Sequence, residues 1–98
     1  MDKGSFVYKK LKSLGILSTS GEYSKELNLI QFGQGKSKKI RIDLRNWIQT
    51  EDEGEKMCKG ICLTREEAEK LYDLLAVALM DHQVNEALKA EEEGKEEA

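Results

Sequence analysis

The sequence predicts an α+β fold in which a four-stranded antiparallel sheet is followed by one long C-terminal helix. Three observations lead there. In the run from Lys38 to Trp47, polar and apolar residues alternate without a break from Lys39 to Arg45, which is the period of a strand with one buried face. Short polar connections bearing glycine flank that run and its neighbours, as they do in hairpins. Thr64-Arg65-Glu66-Glu67 then places a Thr three positions before a Glu at the head of a helically spaced segment, the arrangement of a capping box.

The first strand is expected over residues 6–17, rich in apolar and aromatic side chains but imperfect in its alternation. Its break near Leu14-Gly15-Ile16 predicts a bulge or bend, where glycine is tolerated. Ser18 to Ser24 reads as a turn from its Ser, Thr and Gly content. A second strand is expected from Lys25 to Phe32, with Leu27 and Leu29 turned inward and Asn28, Ile30 and Phe32 outward. Gly33-Gln34-Gly35 connects it to the third strand.

In that third strand Ile40, Ile42 and Leu44 are expected to be buried, leaving Lys39, Arg41, Asp43, Arg45 and Trp47 on the open side. The result is a basic strip ending in an indole. Gln49 to Lys56 is a polar loop, and its acidic run Glu51-Asp52-Glu53 lacks the ligand spacing and closing Glu of a calcium-binding loop. A short fourth strand is expected from Met57 to Leu63. The helix starts after Thr64 and meets no proline or glycine before Gly94. Its apolar face includes Ala68, Leu71, Tyr72, Leu74, Leu75, Ala78 and Leu79, and is widened by Val77, Met80, Val84 and Leu88. One sheet-facing stripe does not need that width, so the helix is expected both to cover the sheet and to meet a partner, with Leu74, Val77, Met80 and Val84 at a dimer interface. Residues 1–90 form the domain, and residues 91–98 an acidic, disordered tail.

At 98 residues the chain holds one core. Its formal charge of -3 conceals a strong polarity. Ten Lys/Arg face four Asp/Glu in residues 1–50, and six face fifteen in residues 51–98, so a basic sheet and an acidic helix present separate surfaces. No apolar run is long enough to cross a bilayer, and Met1-Asp2-Lys3-Gly4-Ser5 lacks the apolar core of a secretion signal; the expected location is intracellular. Cys58, Cys62 and the single His82 fall short of a zinc ligand set, so no metal or other cofactor is expected. Gly35-Lys36-Ser37 imitates part of a phosphate-binding loop, but Ile30 stands where its first glycine belongs and a strand follows. With one histidine and no nucleophile arranged beside it, an enzyme is not expected. Asp43 between Arg41 and Arg45 is read as orienting those arginines.

Lys25-Glu-Leu-Asn-Leu-Ile-Gln-Phe32, Ile42-Asp-Leu-Arg-Asn-Trp47, Lys56-Met-Cys-Lys-Gly-Ile-Cys-Leu-Thr64 and the acidic start Arg65-Glu-Glu-Ala-Glu together resemble the transcriptional coactivator family of the positive-cofactor-four type, most of all its short bacterial members. The likeness covers roughly residues 6–80. It departs at Cys58, where a glycine is usual, and at Ile48, where some relatives carry a second ring. The resemblance implies a homodimer of curved sheets that binds single-stranded DNA, or the separated strands of a melted duplex, with little reading of sequence. Its contacts carry over onto Phe32, Lys36, Lys38, Lys39, Arg41, Arg45, Trp47 and, less directly, Lys59.

Cations interleaved with rings are what a single strand needs, because phosphates take the charge and bases stack on the rings. The expected role is that of a DNA-binding accessory in transcription regulation or DNA metabolism, with single-stranded DNA and possible transcription machinery as partners. The setting is cytoplasmic and nucleoid-associated in a bacterium, or nuclear in a eukaryote. Two other readings use the same face: an adaptor receiving an acidic protein partner, and an RNA-binding protein.

Overall fold

The structure, a computed structural model, describes the backbone of residues 7–97 and the side chains of residues 7–93. Phe6, at which the sequence reading starts the first strand, and the terminal residue Ala98 lie outside the described residues. Four strands form one antiparallel sheet in chain order: β1 (Tyr8–Ser20), β2 (Tyr23–Phe32), β3 (Lys39–Thr50) and β4 (Gly54–Leu63). Two helices follow, α1 (Arg65–Met80) and α2 (His82–Glu97). The chain divides into two compact units, one ending at Arg65 and the other starting at Glu66. The α+β class and the four strands agree with the sequence reading; the single long helix does not.

Each connection is made by the residues that its geometry demands. Between β1 and β2, Ser20 pairs with Tyr23, which leaves a two-residue turn with Gly21 at φ 62°. Left-handed backbone at the first central position is what tight hairpins favour, and glycine adopts it without strain. Between β2 and β3 a single 3-10 turn, Gly35–Ser37, is braced by the Ser37 hydroxyl donating to the Gln34 carbonyl at 3.1 Å. Between β3 and β4 the Thr50 hydroxyl donates to the Gly54 carbonyl at 2.9 Å and accepts from the Glu53 amide at 3.0 Å.

Strand β1 is irregular. Register shifts against β2 fall between Lys10 and Lys12, Ser13 and Gly15, and Ile16 and Ser18. Extra residues at such bulges increase the local twist. Strand β4 shifts once against β3, where Asn46 alone faces the pair Cys58-Lys59. The sheet curls strongly as a result. The Lys10 ammonium on β1 lies 2.8 Å from Glu55 on β4, although two strands intervene and flat spacing would separate the outer strands by about 14 Å.

Curling explains why the burial pattern reverses the expected one. Opposed residues of an antiparallel pair share a face, and register puts Ser24, Glu26, Asn28, Ile30 and Phe32 together with Trp47, Arg45, Asp43, Arg41 and Lys39. This is the concave side. Ile30, Asn28 and Asp43 are 0% exposed and Trp47 is 1% exposed, whereas Leu27, Leu29, Ile42 and Leu44 on the convex side are half-buried and Ile40 is 46% exposed. Side chains converge inside a curl and spread apart outside it, so the polar set is enclosed while the aliphatic set is left partly open.

The helical segment is broken at Asp81. The Asp81 carboxylate accepts from the Val84 amide at 3.0 Å, the bond of an N-cap to the third residue of a new helix. Asn85 reinforces the break, its side-chain amide donating to the Leu79 carbonyl at 2.8 Å and to the Asp81 carbonyl at 3.0 Å. An aspartate cap thus ends α1 and begins α2 where no glycine or proline stands. Helix α2 continues to Glu97, past Glu91, where the sequence reading begins a disordered tail.

Candidate nucleic-acid interface

The concave face divides into two regions of different electrostatic character. Around Trp47 the charges are compensated. The Lys10 ammonium sits 4.2 Å from the centroid of the indole ring and bonds Glu55 at 2.8 Å and Glu26 at 3.5 Å. Burial works against its charge, but the hydrogen bond and charge of Glu55, aided by Glu26, outweigh it, so the Lys10 pKa lies above its ordinary value. Tyr8 packs against the same indole with ring centroids 5.8 Å apart.

Beside this cluster Arg45 binds Asp43 through two nitrogens, Nε at 2.6 Å and Nη2. Its Nη1 donates to the Cys58 carbonyl at 3.0 Å, a group displaced from regular pairing by the bulge in β4. The hydrogen bond to Asp43, despite some desolvation, holds the arginine above its usual pKa. The Cys62 sulfur lies 3.3 Å from Asp43 Oδ1. Although Cys62 is an exposed residue, partial desolvation of its sulfur first and the hydrogen bond with Asp43 second push the thiol pKa up, which favours the neutral form and makes it a poorer nucleophile. Cys58 and Cys62 are both free thiols.

At the opposite end, where β2 passes into β3, the cations have no such partners. Register places Phe32 opposite Lys39 and Ile30 opposite Arg41. Lys36 and Lys38 are exposed in the connection, as is Lys39 at the head of β3. None of Lys36, Lys38, Lys39 and Arg41 forms an ion pair among the described residues. The Arg45 guanidinium carbon lies 6.0 Å from the Phe32 ring centroid, at the outer limit of a cation–π contact.

The site residues read from the sequence therefore separate into three groups. Phe32, Lys36, Lys38, Lys39 and Arg41 gather at one end of the sheet. Trp47, expected as an open stacking platform, is a buried core residue beneath Lys10, and Arg45, expected on an open strip, is held by the buried Asp43. Lys59 lies elsewhere: with Lys25, Leu44, Asn46 and Ile61 it lines a depression of about 270 Å³ whose residues register assigns mainly to the convex face. Leu74, Val77, Met80 and Val84 are exposed along the helices.

Sequence reasoning missed Lys10, Glu26 and Glu55. The alternation Tyr8, Lys10 matches that of Glu26, Asn28, Ile30, but a β1–β4 contact depends on curl, which no local pattern encodes. Among the described residues no group of three His, Cys, Asp or Glu side chains is placed to hold a metal ion, and no helix is long and apolar enough to cross a membrane. No family model, no curated protein and no solved structure matches this chain.

Proposed function

We propose that this protein binds single-stranded DNA with little sequence preference, through the β2–β3 end of its concave sheet face, and does so as a homodimer. The observation that carries the reading is the contrast between compensated and uncompensated charge. Lys10 and Arg45 are neutralised by carboxylates, while Lys36, Lys38, Lys39 and Arg41 stand together without one beside the Phe32 ring. Uncompensated cations are available to phosphates, and one ring among them is a platform for a base. The resemblance to the positive-cofactor-four type of coactivator supports the same ligand and a role as an accessory in transcription or DNA metabolism, in a nucleoid or a nucleus. The exposed Leu74, Val77, Met80 and Val84 support self-association through the helical unit.

Titration with oligo-dT and with a duplex of equal length tests this. Binding of the single strand at low salt with much weaker binding of the duplex is the expected result, and Phe32→Ala should weaken it by about 1–3 kcal/mol, the usual worth of one stacked base. Absence of oligo-dT binding together with capture of an acidic peptide would favour the adaptor reading. Tighter binding of oligo-U than of oligo-dT would favour RNA, through contacts to the 2′-hydroxyl. Sedimentation of the wild type against Val77→Glu tests the dimer, which the variant should dissociate.

A further inference from the structure

The burial of Trp47 has an unusual cause. Part of its cover is a charge, the Lys10 ammonium, held in place by Glu55 and Glu26 from two other strands, and the Tyr8 ring packs beside it. Among the described residues the indole Nε1 is buried without a hydrogen-bond partner, as is Oδ1 of Asn28 on the same face. Buried donors are nearly always satisfied, so an indole N–H with no partner among the described residues is one that a ligand acceptor can serve.

Lys10 also has a second place to go. Register sets it opposite Ile30, and Ile30 opposite Arg41, so its backbone stands in the same cross-strand row as one of the uncompensated cations. The long side chain leans from that row toward the glutamates. One lysine with two carboxylates leaves the surroundings of Trp47 with a net negative charge, which repels phosphate. The same ammonium turned toward Arg41 would add a fifth cation to the group of Lys36, Lys38, Lys39 and Arg41.

We propose that Lys10 is an autoinhibitory latch: Glu55 and Glu26 compete with nucleic-acid phosphate for its ammonium, and phosphate bound beside Arg41 draws it off the indole and uncovers Trp47. This rests on the proposed nucleic-acid reading for its ligand, but not for its geometry. In the closed state Phe32 is the ring beside the open cations. In the open state the indole face and its unpaired N–H join the binding surface, and β1 loses a tie to β4. The latch is ionic and partly solvated, so it opens at modest cost.

Trp47 is the sole tryptophan, which makes its fluorescence a direct readout. Acrylamide quenching should be weak in the wild type and should rise by roughly two- to fivefold in Glu55→Gln and in Lys10→Met, the range set by loss of one exposed ion pair. Lys10→Met removes the ammonium and its ties to both glutamates while keeping an unbranched side chain in β1, and Glu55→Gln is nearly isosteric, so unchanged far-ultraviolet circular dichroism should accompany both. Oligo-dT should increase quenching of the wild type, and Glu55→Gln should bind oligo-dT more tightly while Lys10→Met does not. Quenching that stays at the wild-type level in both variants overturns the latch, whatever the affinity for oligo-dT. Variants that uncover Trp47 but bind oligo-dT no differently from the wild type overturn the competition. If neither the wild type nor the variants bind oligo-dT while the variants do uncover Trp47, the latch stands and the nucleic-acid reading falls.

Discussion

Trp47 shows how a single residue can look like a ligand contact and serve as a core. Its place in the alternation with Arg45 and Asp43 was legible, and so was the pairing of Asp43 with Arg45, whereas Arg41, expected to share that carboxylate, donates to the Ile40 carbonyl instead. Its burial was not, because which side of a strand is enclosed depends on the direction of curl and not on which side is apolar. Truncating a buried aromatic costs about 3–5 kcal/mol, so Trp47→Ala is expected to unfold at markedly lower urea, and any loss of DNA binding in that variant is to be read after its stability. Cys62 offers a milder test at the same scale. Its raised thiol pKa means that the native state favours the neutral form; the corresponding stability is complete below the pKa of a free thiol and is lost as pH rises through the higher folded value. Alkylation of Cys62 by iodoacetamide should therefore lag behind that of an unstructured cysteine peptide at pH near 9, and match it once urea unfolds the chain.

Among the elements, strand order was readable because glycine and polar residues mark the turns. The expected turn Ser18 to Ser24 and loop Gln49 to Lys56 are nevertheless mostly strand, since Ser18, Thr19 and Ser20 pair with Lys25, Ser24 and Tyr23, and β4 begins at Gly54. The bulges were half readable. Gly15 pointed to one irregularity in β1, but three occur, since successive leucines at bulge positions have no distinguishing signature. The break at Asp81 was missed because only glycine and proline were weighed as stops, whereas an aspartate whose carboxylate accepts from the backbone N–H three positions later can start a second helix. Strand β4 contains the position least open to change. A Cβ built on Gly60 would overlap the Cβ of Arg45 and the backbone oxygen of Leu44, neither of which can move without disturbing the β3–β4 ladder. Overpacking of this kind typically costs about 1–3 kcal/mol or more. Gly60→Ala should lower the thermal midpoint and loosen the Arg45 hydrogen bonds that close the adjoining bulge, seen as faster amide exchange in β4.

For the whole molecule, the separation of charge along the sequence proved more informative than its sum. The basic half supplies β1, β2 and β3, and the acidic half supplies β4, yet the cations of the sheet are not equivalent: those near Trp47 are consumed by internal carboxylates, and those at the β2–β3 end are left over. That division could not be read from the sequence, where Lys10 and Lys39 look alike and Glu55 belongs to an acidic loop 45 positions from Lys10. The leftover group makes a quantitative claim. Each phosphate contact by a cation on a single strand contributes about -0.7 to the slope of log affinity against log salt. The most direct test of the account is that slope for oligo-dT, measured for the wild type and for Lys39→Ala and Arg41→Ala. The account predicts a wild-type slope near -3 from Lys36, Lys38, Lys39 and Arg41, steepening to about -3.5 where Lys10 joins them, at -0.7 each, and a slope shallower by about 0.7 in each variant; a wild-type slope near zero, or variants indistinguishable from it, would contradict the account.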